Sequence, residues 1–269
     1  MGESGGAPRD RATSADRVVL ATLSRGEIEL RGRLPWSSNA TFLVAVRPPA
    51  APAEQPRRPA RNGRAGDRAA AGQPVLAIYK PARGERPLWD FPRGLWKREV
   101  AAYELSEFLG WTVVPPTIAR PDGPLGPGSL QYCVDALFDE HYFTLLEVPE
   151  HRRDLRRLAV FDAVVNNADR KSGHCLVDRE GRIWGIDHGL CFHAEPKLRT
   201  VIWDFAGEKI EEDLLAALKP MAAGSLPKTL ARLLDADERA ALTARAAVLR
   251  ATTRFPQPSV DFPYPWPLV

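Results

Sequence analysis

Apolar positions recur with two different periods along this chain, and the change from one to the other divides it. Up to about residue 138 they come in short runs: Val18–Leu23, Thr41–Val46 (TFLVAV), Val75–Tyr79 (VLAIY) and Leu130–Phe138 (LQYCVDALF). Gly26–Leu34 mixes charge and aliphatics as a half-buried strand does. Trp96–Leu109 departs from this pattern. Val100, Tyr103 and Leu105, closed by Phe108 and Leu109, have helical spacing, and Gly110 stops the run. Val113–Thr117 reads as extended, because a residue before proline avoids the helical region. Beyond residue 150 the helical period takes over. Arg152–Val165 carries Leu155, Leu158, Phe161, Asp162 and Val165 on one stripe with basic residues opposite, and Ile210–Leu218 and Pro227–Leu234 follow. Asp235–Glu238 has the form of a capping box opening a helix through Leu242, Ala246 and Leu249. The tail from Phe255, rich in proline and aromatics, is expected to lie against the body. This order predicts an α+β fold: a tail at 1–16, a β-rich lobe at 17–135 and a mainly α-helical lobe at 136–269.

One stretch belongs to neither period. From Pro48 to Pro74 there is no Val, Ile, Leu, Met, Phe, Tyr or Trp. Such a segment buries too little surface to offset its ordering entropy, so a disordered insertion is expected at 48–74. Its five arginines could touch an acidic partner. The net charge of +3 argues against dedicated nucleic-acid binding. Cys133, Cys175 and Cys191 sit in apolar segments without paired spacing and read as reduced thiols. With no apolar run of membrane-spanning length and no leader-like segment at the start, a cytoplasmic location is expected. Peripheral membrane contact and oligomeric state stay open.

The chemistry concentrates in Asn166–His174 (NNADRKSGH) and Ile183–Gly189 (IWGIDHG). Asp178-Arg179-Glu180-Gly181 between them is a good hairpin turn. A hairpin returns the chain to its start, which places Asp187 beside His174 and near Asp169. Two carboxylates and an imidazole at one loop mouth suit Mg²⁺, whose octahedron substrate phosphates complete. Asn and Asp also cap helices and start turns, so single residues here carry little weight. The set as a whole points to phosphoryl transfer, which needs neutralised phosphates, a fixed metal and an oriented hydroxyl. Lys80, delivered at the end of Val75–Tyr79, is placed to be the phosphate-binding lysine.

These motifs resemble the phosphatidylinositol 3-/4-kinase superfamily, especially its type II phosphatidylinositol 4-kinase branch and HipA-type kinases, from about Gly32 to Arg199. Asn167-Ala168-Asp169-Arg170 and Ile186-Asp187-His188-Gly189-Leu190 stand in register with the branch's catalytic and metal-binding motifs. The resemblance implies a bilobal protein-kinase-like fold using ATP with Mg²⁺ or Mn²⁺ and a hydroxyl acceptor on a protein, lipid or small molecule. It implies that Asp169 is the catalytic aspartate, with Arg170 beside it and Lys80 on the phosphates, and that Asp187 binds metal. Backbone groups at Val134, Asp135 and Ala136 would hold adenine, and Ser37-Ser38-Asn39 would form a short phosphate loop. Glu99 would pair with Lys80, with Glu104 as the fallback. His174 stands where the branch has asparagine. An imidazole is a softer metal ligand and suits Mn²⁺ better than an oxygen-only site does.

That substitution motivates a second function, a nucleotide-binding pseudokinase or scaffold. A third is a metal-dependent phosphohydrolase using Asp169, His174, Asp187, His188 and His193, which has no need of Lys80. The loop Arg83–Pro92 offers two readings: shaping an acceptor site, or simple packing of Leu88, Trp89 and Phe91.

Overall fold

Alternation along Val75–Pro81 sorts its side chains to two faces. Val75, Ala77 and Tyr79 turn to an apolar cluster, while Leu76, Ile78 and Lys80 turn the other way. The computed structural model describes residues 14–35, 37–49, 73–258 and 261–268. Most of the disordered insertion expected at 48–74, and residues 1–13 of the expected tail, lie outside the described residues.

The first described element is a helix, α1 (Ser14–Arg25), which starts inside the span expected to be tail. It covers one face of a five-stranded antiparallel sheet built from β1 (Glu27–Arg33), β2 (Phe42–Arg47), β3 (Val75–Pro81), β4 (Thr117–Arg120) and β5 (Gly128–Tyr132), in the order β1-β2-β3-β5-β4. Leu23 of α1 is buried there with Val44, Val46, Ala77, Tyr79 and Leu130. The register sets Lys80 opposite Ser129, so the lysine leaves the sheet where β3 ends. α2 (Leu95–Phe108) packs against β4 and β5.

The strand expected over Leu130–Phe138 ends at Tyr132. Cys133 N–H donates to Leu76 O at 3.0 Å as the last bond to β3, and Ala136 N–H then turns back onto Val134 O at 2.9 Å. These residues are the crossing between lobes. The apolar pattern runs straight through that crossing, because Val134 and Ala136 are buried on the second lobe with Leu176 and Trp184.

The second lobe holds α3 (Tyr142–Leu146), α4 (Arg152–Val165), the hairpin β6 (Cys175–Val177) and β7 (Ile183–Gly185), then α5 (Glu212–Ala217), α6 (Lys219–Ala222), α7 (Leu230–Leu233) and α8 (Ala236–Thr252). α4 is its centre. Leu155, Leu158, Phe161 and Val165 are fully buried, each contributing about 1.5–3 kcal/mol. The helix expected over Pro227–Leu234 is only α7, one turn long. α8 opens on the expected capping box: Glu238 N–H donates to Asp235 Oδ1 at 2.8 Å, and Asp235 N–H to Glu238 Oε2 at 2.9 Å. Gly185 is needed where β7 crosses α4, since a Cβ there would meet Leu158 Cδ1 at 2.7 Å and Arg170 Nη2 at 3.2 Å. The C-terminal segment lies on the body as expected: Pro263 O accepts from Thr200 N–H and Leu268 O from Ser172 N–H. All three cysteines are free, Cys175 and Cys191 buried and Cys133 half-buried. No helix among the described residues is long and apolar enough to cross a membrane.

Candidate active site

The hairpin performs the juxtaposition that the sequence predicts. Ile186 N–H donates to His174 O at 3.0 Å as the ribbon closes, and His174 Nε2 comes to 3.5 Å from Asp187 Oδ2. Asp187 itself adopts a left-handed conformation (φ 58°), which turns its carboxylate out of the ribbon. Aspartate tolerates this region better than most residues, and such outliers concentrate at functional sites.

Across the cleft, Lys80 Nζ donates to Asp187 Oδ1 at 2.7 Å and to Glu99 Oε1 at 2.5 Å. Glu99 rises from α2, and its other oxygen accepts from His188 N–H at 2.9 Å. One lysine thus ties the sheet, α2 and the loop after β7 together. Gly189 leaves room for this, because a Cβ there would sit 3.3 Å from Glu99 Oε1. Glu104 is engaged elsewhere, accepting from Thr229 Oγ1. Exclusion of water would weaken the charge on Lys80, but Asp187 and Glu99 overcome it and hold the ammonium above its ordinary range. Burial likewise works against the Asp187 carboxylate, yet Lys80 keeps it well below the usual carboxylate range.

Asp169 sits at the turn after α4, its N–H fixed by Asn167 Oδ1 at 3.0 Å, with the Lys171 ammonium 3.4 Å from its carboxylate. Burial raises its pKa to about 6, with the nearby Asp187 adding to the shift and Lys171 opposing it. Burial lowers His174 to about 4, so its imidazole is neutral at pH 7.

A cavity of about 270 Å³ gathers Ser37, Ser38, Asn39, Lys80, Glu99, Asp169 and Asp187 on one wall system. The serine loop is tied down on both sides: Ser37 and Thr41 hydroxyls share a 2.8 Å hydrogen bond, and Arg86 N–H donates to Asn39 Oδ1 at 2.8 Å. His174 does not line this cavity; it meets the lining residues Asp187 and Asp169 from outside, at 3.5 Å from Asp187 Oδ2 and 3.1 Å from Asp169 O. Val134, Asp135 and Ala136 do not line it; they form the connection between lobes.

Arg170, expected among the catalytic residues, does not line the cavity and is completely buried. Its guanidinium makes a two-pronged pair with Asp162, Nε to Oδ2 at 2.8 Å and Nη2 to Oδ1 at 2.9 Å. Nη1 donates to Ile186 O at 2.7 Å and His174 O at 3.1 Å, and Nη2 lies 2.9 Å from His188 Nε2. It therefore braces the loops carrying Asp169 and Asp187 from behind. The reason lies in its neighbours: Asp162 projects from the apolar stripe of α4 straight into that space.

A protein of Mycobacterium tuberculosis, Rv2133c, is 38% identical to this chain over 284 residues, spanning 92% of the chain and 94% of that protein. The chain belongs to its family. No family model matches the chain. Among solved structures, hydra Fam20, solved with sugar, is similar at a TM-score of 0.55 and 14% identity, over 92% of this chain and 91% of its own. The Helicobacter pylori proinflammatory kinase CtkA is more remote, at a TM-score of 0.45 and 12% identity over 87% of this chain and 94% of its own. The fold is the bilobal protein-kinase-like one, β-rich in the first lobe and helical in the second.

Two residues of the site escaped the sequence reading. Asp162 was visible only as a carboxylate on an apolar helix face, a sign of a buried partner. Glu85 gave no local signal; its carboxylate accepts from Gly94 N–H at 2.9 Å and Trp96 N–H at 2.7 Å, closing the start of α2 beside the cavity.

Proposed function

We propose that this protein is an ATP-dependent phosphotransferase acting on a hydroxyl acceptor, with a site of the type II phosphatidylinositol 4-kinase kind. The observation that carries the proposal is Lys80 from the sheet lobe, held between Glu99 and Asp187 in the cavity that Asp169 also lines.

Each residue then has a task. Lys80 and the backbone of Ser37–Asn39 neutralise and cradle the phosphates. Adenine falls to the connection at Val134–Ala136, outside that cavity, through its backbone groups other than Ala136 N–H and Val134 O, which bond each other at 2.9 Å. Asp169 orients the acceptor hydroxyl and takes its proton as the hydroxyl oxygen bonds to the γ-phosphorus and the bond to ADP breaks. Arg170 is a positioning residue, acting through the loops that it braces.

The side chains fit a divalent cation. His174 Nδ1 lies 3.1 Å from Asp169 O and 3.5 Å from Lys171 N–H, and its Nε2 faces Asp187 Oδ2 at 3.5 Å; with the proton on Nδ1, Nε2 is free to ligate. No cluster of three such ligands occurs among the described residues. Asp187 and His174 would hold the cation. When bound, it would supply charge neutralisation at the β- and γ-phosphates.

The reaction is tested by incubating the protein with ATP labelled in the γ-phosphate, with Mg²⁺ or Mn²⁺, and following label onto the protein itself or an added acceptor. Transfer is expected, stronger with Mn²⁺, and His174→Asn is expected to shift the preference toward Mg²⁺. ATP binding without transfer under either metal would favour a nucleotide-binding scaffold, the reading that His174 itself motivates. Phosphate release that survives Lys80→Ala in full would favour a phosphohydrolase.

A further inference from the structure

We infer that segment 261–268 is a positioning element of the proposed site, a stiff backing for the turn that carries Asp169; this rests on the phosphotransferase reading and adds to its machinery. None of these residues lines the cavity that holds Asp169. They reach the turn from outside it, through hydrogen bonds to backbone carbonyls. Pro263 O accepts from Thr200 N–H at 3.0 Å and from Trp203 Nε1 at 3.0 Å, and Leu268 O accepts from Ser172 N–H at 2.9 Å. Residues 199–201 in their turn grip the loop. Arg199 N–H donates to Asn167 O at 2.9 Å, Arg170 N–H to Arg199 O at 3.1 Å and Val201 N–H to Arg170 O at 3.1 Å. Asp169 therefore stands between Asn167 and Arg170, both fastened to a layer that the segment backs. Three residues beyond Asp169, Ser172 is fastened to the segment directly.

The sequence builds this segment as a rod. Proline stands at 263, 265 and 267, fixing its own backbone angle and keeping the residue before it out of the helical region. A chain stiffened in this way has less freedom to lose when it docks. Proline has no N–H, so the rod chiefly accepts hydrogen bonds, and the donors on Ser172, Thr200 and Trp203 supply them. Side chains add one anchor. Pro265 is buried, whereas Phe262, Tyr264 and Trp266 are 81%, 53% and 88% exposed. The rod is thus held by its carbonyls and Pro265, not by its aromatic rings. Ser172 and Thr200 are buried, so unseating the rod leaves their N–H groups without a partner, and the turn shifts to pair them. Misplacing a catalytic group by about 1 Å is enough to slow a reaction about 100-fold.

The test uses the full chain with Pro265→Asp, which puts a charge on the buried anchor, and with Trp203→Phe, which removes one donor and keeps a ring in place. Three quantities are read: single-turnover transfer from γ-labelled ATP, affinity for a non-hydrolysable ATP analogue with Mn²⁺, and amide hydrogen exchange over 167–174. Pro265→Asp is expected to lower transfer about 10–100-fold, to leave analogue affinity within about twofold, and to speed exchange at Ser172 at least about tenfold. Trp203→Phe is expected to lower transfer about threefold. A synthetic peptide of residues 261–269, added to the Pro265→Asp protein, is expected to restore transfer and protection together. Unchanged transfer in both variants, faster transfer, or unchanged exchange would each overturn the inference. So would parallel loss of analogue affinity and transfer with no rescue by the peptide, the pattern of a merely structural role. A wild-type protein that binds no analogue and transfers nothing, while Ser172 still loses protection in Pro265→Asp, would sink the phosphotransferase reading alone.

Discussion

Asp169→Asn is expected to bind ATP with close to wild-type affinity and to lose phosphoryl transfer by about 10²–10⁴-fold. The exchange keeps the side chain's shape and leaves the backbone anchor from Asn167 Oδ1 to Asp169 N–H in place. What it removes is the capacity to take a proton. Burial holds the carboxylate near pKa 6, so at neutral pH it is ionised yet close enough to the working pH to accept the hydroxyl proton. In the proposed site the nucleotide contacts fall to Lys80, Asp187 and the Ser37–Asn39 loop instead, which is why affinity and turnover should separate. Single-turnover transfer measured beside equilibrium binding checks this; equal rates in both proteins would remove Asp169 from the reaction.

Asp162→Ala is expected to destabilise the fold by about 3–5 kcal/mol, read from chemical denaturation. Asp162 and Arg170 are 1% and 0% exposed, and the carboxylate also accepts from Asn167 Nδ2 at 3.0 Å. Deleting it strands a guanidinium in the interior with no counter-charge. The remaining carbonyl contacts from Ile186 and His174 cannot neutralise it. Asp162→Asn, which preserves part of the hydrogen bonding, should cost less. A loss below about 1 kcal/mol for the alanine variant would mean that the pair does not brace the two loops.

Much of this architecture was legible from the residues. The lysine at the end of Val75–Tyr79 and the carboxylates flanking a hairpin turn are local patterns, and topology then brought them together: the Asp187 carboxylate reached Lys80 because the hairpin is short and its register fixed. The C-lobe helix Arg152–Val165 was readable from its stripe to the residue. Other features depend on partners far away in sequence. Val18–Leu23 gave no element type, because what makes it a helix is the sheet face that it covers. The strand at Leu130 ends at Tyr132 since the next residues bury themselves in the other lobe, and apolar runs do not say which surface they meet. Arg170 read as catalytic from its place in Asn-Ala-Asp-Arg, while its burial follows from Asp162 eight positions earlier.

Calorimetric titration of ATP, with Mg²⁺ and with Mn²⁺, into the wild-type protein and Asp187→Ala bears most directly on whether Lys80, Glu99 and Asp187 frame a nucleotide cleft. Saturable, metal-dependent binding by the wild type that disappears in the variant is the expected result. No binding with either metal, or the same affinity in both proteins, would contradict it.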